Sequence, residues 1–122
     1  MSAVSVRETS DYPQGTQKEL PRFRVHSDAV DVSLVLFTGK GAIRRAVVTN
    51  TTGTAGYLQV HDALTLPVDT TVPVFSIQLP ASGSVVIEDL HCAIGAVLAI
   101  STTAGTLTIS TNDAFFSANV TK

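Results

Sequence analysis

A chain of 122 residues, 44% hydrophobic and only 15% charged, holds one domain with a real core, and that balance excludes a disordered polymer. A formal net charge of −2 excludes a general pull toward nucleic acid or acidic membrane. The single cysteine, Cys92, excludes an intrachain disulfide framework, and no apolar run nears the roughly 18 residues of a membrane span.

The chain begins MSAVSVRETSDYPQ, with no apolar stretch of the signal-peptide kind, so synthesis as a soluble cytoplasmic chain is expected. Residues 1–29 stand apart from the remainder of the chain. They contain Pro13, Gly15 and Pro21, many of the charges, and no sustained apolar periodicity. Such a segment is either a frayed tail or an extended arm that orders on a neighbour. In the second case Val4, Val6, Tyr12, Leu20, Phe23 and Val25 are its anchors. The cations support an arm with grip: Arg7, Lys18, Arg22, Arg24, Lys40, Arg44 and Arg45 all precede residue 46, and only Lys122 lies beyond it.

Residues 30–122 form the predicted domain, in which strands and turns alternate. Val32, Leu34 and Leu36 share a face, and Gly39-Lys40-Gly41 is a turn in which glycine supplies positive φ. A strand over residues 43–50 leads into Thr51-Thr52-Gly53-Thr54-Ala55-Gly56, which has the composition of a hairpin loop. In the next strand Leu58 and Val60 are expected to point inward, and Tyr57, Gln59 and His61 outward. Phe75, Ile77 and Leu79 alternate with Ser76 and Gln78, the period of a half-buried strand. Pro80-Ala81-Ser82-Gly83 turns the chain toward Val85 and Ile87. Residues 94–102 are nearly all apolar, as in a central strand covered on both faces, with a partner as one possible cover. Ala104-Gly105 leads to a strand through Leu107 and Ile109, and Phe116, Ala118 and Val120 close the domain. Roughly eight short strands with regular turns predict an all-β, antiparallel sandwich or jelly roll with an extended amino-terminal arm.

Catalytic and metal chemistry find little support. His91 and Cys92 are adjacent, as are His61 and Asp62, and neighbours on a strand point to opposite faces. No CxxC, HxH or HxxxH spacing occurs, and no Gly-x-Ser-x-Gly elbow. The carboxylates Asp62, Asp69, Glu88, Asp89 and Asp113 form no pair by spacing. Gly39-Lys40-Gly41 lacks the frame of a phosphate loop. No catalytic residue, cofactor or metal is therefore expected. Arg44 and Arg45, read as one regular strand, point to opposite faces. They serve either as solubilising edge charges or as bidentate partners for a carboxylate. Asn50-Thr51-Thr52 and Asn119-Val120-Thr121 match the glycosylation sequon, which means little without a secretory signal.

One stretch of the domain resembles a known group. It contains Tyr57-Leu58-Gln59-Val60-His61-Asp62, then the run from Val72-Pro73 through Ile77-Gln78-Leu79-Pro80-Ala81-Ser82-Gly83-Ser84-Val85, then Ala99-Ile100-Ser101-Thr102-Thr103. This Y-L-x-V-x-D strand, V-P-x-x-x-I-x-L-P-A-x-G-S-V hairpin and A-x-S-T-T segment resemble small β-sandwich structural proteins of tailed bacteriophages. The resemblance covers roughly residues 56–110 and leaves out the arm. It implies a virion component that binds and stabilises the capsid as a decoration or cement protein. The alternatives it leaves are a small neck, tail or baseplate protein. The major capsid protein or another virion protein is then the partner, and homo-oligomers, often trimers, are common in the cement type. The implied location is the virion, after synthesis in the host cytoplasm; no nucleic acid or membrane partner is implied. The family carries no catalytic residue to transfer. On this reading Arg7, Tyr12, Arg22, Phe23, Arg24, Arg44 and Arg45 are the protein-binding residues of arm and edge. A receptor- or carbohydrate-binding module is the competing function, although Trp is absent and only Tyr12 and Tyr57 are present.

Overall fold

The computed structural model describes residues 3–8, 22–110 and 113–122. The described strands are β1 (Ala3–Glu8), β2 (Arg22–Ser27), β3 (Ser33–Thr38), β4 (Gly41–Asn50), β5 (Gly56–His61), β6 (Phe75–Leu79), β7 (Ser84–Cys92), β8 (Gly95–Ser101) and β9 (Ala114–Thr121). They make an all-β sandwich in which every paired neighbour is antiparallel. One sheet has the order β1-β2-β9-β4-β7 and the other β3-β8-β5-β6. Without β1 these are two four-stranded sheets. The chain changes sheet at every connection from β2 to β9 except β5–β6. That winding, 2-9-4-7 against 3-8-5-6, is the jelly-roll order.

The alternation of apolar side chains explains the layers. Val25, Ile43, Ala46, Val48, Ile87, Phe116, Ala118 and Val120 come from the larger sheet. Leu34, Leu36, Phe37, Leu58, Val60, Leu79, Leu98 and Ile100 meet them from the smaller one. At roughly 1.5–3 kcal/mol for each fully buried aliphatic or aromatic side chain, this interface is the main stabilising term.

Three features depart from the sequence expectation. Residues 51–56 do not close a hairpin, since β4 and β5 lie in different sheets. Buried Asn50 fastens this crossover: its Nδ2 donates to Thr54 O and Pro80 O at 2.9 and 3.1 Å, and its Oδ1 accepts from Thr52 N at 3.0 Å. The amide of the first sequon is thereby committed to structure. Next, β8 is central and covered on both faces as expected, but the outer cover is the chain itself. Leu107 is buried yet forms no strand with Ile109; it exchanges backbone hydrogen bonds with Thr70 and Thr71, at 2.7 and 2.8 Å. Gln59 and His61, expected in solvent, are buried, and the Gln59 amide bonds to backbone within residues 103–106.

The third departure concerns the arm. Residues 22–27, assigned to the arm by composition, form an interior strand between β1 and β9. Val25 and Ser27 are buried there, and the Phe116 amide donates to Ser27 Oγ at 3.1 Å. Two alternating apolar residues, Phe23 and Val25, form too short a pattern to stand out as a strand, yet they pack on the core.

Candidate protein-binding face

The outer side of the five-stranded sheet gathers the arginines. On β2, Phe23 and Val25 face the core, so Arg22 and Arg24 face away from it. On β9 the inward residues are Phe116, Ala118 and Val120, which turns Phe115, Ser117, Asn119 and Thr121 outward. Register aligns Arg24 with Asn119, Asn119 with Arg45, and Arg45 with Glu88. Arg24 and Arg45 therefore flank Asn119 in one row across three strands, about 10 Å apart along the backbone. Arg22 lies in the adjoining row, opposite Thr121.

A β-bulge adds Arg44 to the same side. Between Ile43 and Arg45 the strand advances two residues while β9 advances one, from Val120 to Asn119. Arg44 is the extra residue, so the alternation expected of a regular strand fails there and both arginines are exposed. Opposite, on β7, Asp89 takes a left-handed backbone with φ 54°. Its carboxylate lies 3.8 Å from Arg44 Nη1, a screened surface pair that contributes little by itself. Arg44 lines a cleft of about 300 Å³ together with Lys40, Gly41, Ala42, His91, Thr121 and Lys122.

The remaining predicted residues are placed differently. Phe23 packs half-buried against the chain's own core, with Lys122 Nζ 5.0 Å from its ring centroid, so it is not displayed as an anchor. Arg7 sits on β1, in register with Phe23. Tyr12 lies outside the described residues. Sequence reasoning missed Lys40, His91, Thr121 and Lys122, which meet only because Ala42 of β4 pairs with both His91 and Thr121.

Elsewhere the polar groups are structural in their bonding. Asp62 accepts the amides of Ala93, Ile94 and Gly95 at 3.0, 2.7 and 3.1 Å and so fastens the turn before β8. These bonds, from Ala93 and Ile94 first, hold its carboxyl below the usual range. Burial pushes the Cys92 thiol up, with the Asp62 charge adding to it, so the thiolate that nucleophilic chemistry needs is disfavoured. Burial also lowers His61 from the ordinary imidazole value. Among the described residues, no three His, Cys, Asp or Glu side chains group as metal ligands. No protein-family model matches the chain, and comparison with curated proteins and with solved structures likewise returns no match.

Proposed function

We propose that this chain is a non-enzymatic structural protein of a tailed-phage particle. It grips a neighbouring virion protein, the major capsid protein for a decoration or cement role, through the outer face of its five-stranded sheet. The observation that carries this reading is the row Arg24–Asn119–Arg45 with Arg22 and Arg44 beside it. Planar guanidinium groups on a rigid sheet suit bidentate pairing with carboxylates of an acidic protein surface. The resemblance over residues 56–110 supplies the phage setting, and the trimeric assembly common in the cement type belongs to the same proposal. The jelly roll itself does not choose, since capsid, lectin and enzyme domains share it. A neck, tail or baseplate position would use the same face with fewer copies. Carbohydrate recognition is less well served: Phe115 is the only exposed aromatic among the described residues.

Quantitative mass spectrometry of purified particles should find many copies per head, and a complete absence of the polypeptide ends the proposal. Reversing charge with Arg24→Glu and Arg45→Glu, both at exposed positions, should leave the fold intact. It should lower incorporation roughly tenfold or more, because like charges then meet across the interface. Undiminished incorporation would remove this face from the contact.

A further inference from the structure

Apolar exposure is concentrated in the connection between β5 and β6. Leu64, Leu66, Val68, Val72 and Val74 are all exposed within this one stretch, Val68 at 79% and Val72 at 71%. They make up half of the large hydrophobic side chains exposed among the described residues. Ile94, 52% exposed, borders the start of the connection: a Cβ on Gly95 would meet Ala63 O, and the Asp62 carboxylate accepts the Ile94 amide at 2.7 Å. The same region is poor in charge. Between Ala63 and Ile87 the only charged side chain is Asp69, and its Oδ1 accepts the Ile109 amide at 3.1 Å. Single apolar side chains scattered over a surface are ordinary, but a cluster of them marks a place where something apolar docks.

The connection presents these side chains rigidly. Val68 to Thr71 is a turn closed by Thr71 N and Oγ1, which donate to Val68 O at 3.3 and 2.7 Å. Within it Thr70 takes φ 78°, where a β-branched residue is an outlier and glycine the ordinary choice. Backbone hydrogen bonds of Thr70 and Thr71 with Leu107 hold the turn against the outer cover of the smaller sheet. Pro67 and Pro73 stiffen its two flanks. Strain of this kind gathers at binding sites, and a surface already ordered loses little freedom when it docks.

The size and place of the patch point to what covers it. Aliphatic side chains with these exposures offer about 500 Å² per copy, close to the roughly 600 Å² per partner at the small end of specific interfaces. A second copy of the chain brings an equal apolar area. The arginines suited to an acidic protein lie instead on the outer side of the other sheet, formed by β2, β9 and β4. We propose that the β5–β6 connection is a self-association surface, on which copies of this chain bury these aliphatic side chains against one another. Association of this kind leaves the arginine face of each copy uncovered. The proposal does not depend on the phage setting and is tested on the isolated full chain.

Sedimentation equilibrium from about 10 µM to about 1 mM should show monomer giving way to a defined oligomer, since small interfaces bind weakly. Val68→Ser combined with Val72→Ser, both at exposed positions, should leave the melting temperature unchanged and weaken association about tenfold or more. Sodium chloride at about 0.5 M should not weaken it, because apolar contacts are not screened. Val86→Ser combined with Phe115→Ser removes exposed apolar side chains from the larger sheet and should leave association unchanged. Monomer throughout the range overturns the proposal and leaves the patch to a different apolar partner. Association that survives the Val68 and Val72 substitutions, or that salt dissolves, overturns it as well. So does association lost with Val86→Ser and Phe115→Ser, which would assign the contact to the arginine-bearing sheet. Association as expected, in a chain not found in phage particles, would leave this surface standing and remove only the virion setting.

Discussion

The Gln59 side-chain nitrogen lies 2.8, 3.2 and 2.9 Å from the carbonyl oxygens of Thr103, Ala104 and Thr106. Reversing the amide would set its oxygen against three others, so the orientation is fixed and Oε1 is left to accept. It does so from His61 Nε2 at 2.9 Å, which places the imidazole proton on Nε2. His61 Nδ1 is then a bare lone pair, buried without a partner among the described residues. A second proton there would find no acceptor, in keeping with the lowering of His61 by burial. That lowering sets the sign of the pH effect. The unfolded chain takes up the proton near pH 6.5 and the folded chain only at lower pH. Stability from the neutral imidazole is therefore complete above about pH 6.5 and lost as pH falls through it toward the lowered value. His61→Gln keeps a donor toward Gln59 and cannot titrate. Between pH 7 and pH 5 the unaltered protein should lose more melting temperature than this variant, since every other titrating group is common to both. Equal losses would show that His61 carries none of the acid sensitivity.

Among the strands, β8 is the most constrained, because it is packed on both faces and pinned at its start. A Cβ on Gly95 would meet the carbonyl oxygen of Ala63, and Phe37 O at 2.9 Å, both backbone atoms that cannot swing aside. The Asp62 carboxylate holds the same point through three amides. Gly95→Ala should therefore destabilise the domain by roughly 2–4 kcal/mol. Gly53→Ala, where nothing lies within 4 Å, should change it by no more than about 0.5 kcal/mol. Chemical denaturation of the two variants checks the contrast, and equal midpoints would refute it. The burial of β8 was legible in the sequence, because an unbroken apolar run has no side left for water. The alternation in β6 and β9 was legible for the same kind of reason. Alternation distinguishes inside from outside but not one sheet from the other, so residues 51–56 looked like a hairpin and are a crossover. Nor does composition reveal a bulge: Arg44 and Arg45 differ from a regular pair only through the register that β9 imposes.

At the scale of the whole molecule the difficulty was the boundary between arm and domain. Arg22, Arg24, Arg44 and Arg45 were recognisable one by one as candidates, but their common face depends on β2 and β4 both pairing with β9. That pairing joins residues far apart in the chain, from Asn50 with Ala114 to Arg22 with Thr121, and leaves no local trace. The same pairing decides how much of the amino terminus can be removed. Truncation of residues 1–21 takes away β1, which among the described strands pairs only with β2, and leaves every other described strand partnered. Truncation of residues 1–29 also removes Val25 from the core, and with it Ser27, the acceptor for the Phe116 amide. It strips β9 of one neighbour, turning an interior strand into an exposed edge with unpaired donors and acceptors. The shorter truncation should keep a cooperative thermal transition and a monodisperse solution. The longer one should lose the transition or aggregate, since burial of Val25 alone is worth roughly 1.5–3 kcal/mol against a total stability of about 5–15 kcal/mol. Two truncated proteins with the same melting behaviour would mean that β2 belongs to the arm after all. If the longer one fails while the shorter one folds but no longer joins particles, the first 21 residues contribute to gripping the partner, and residues 22–27 present arginines to it from within the sheet.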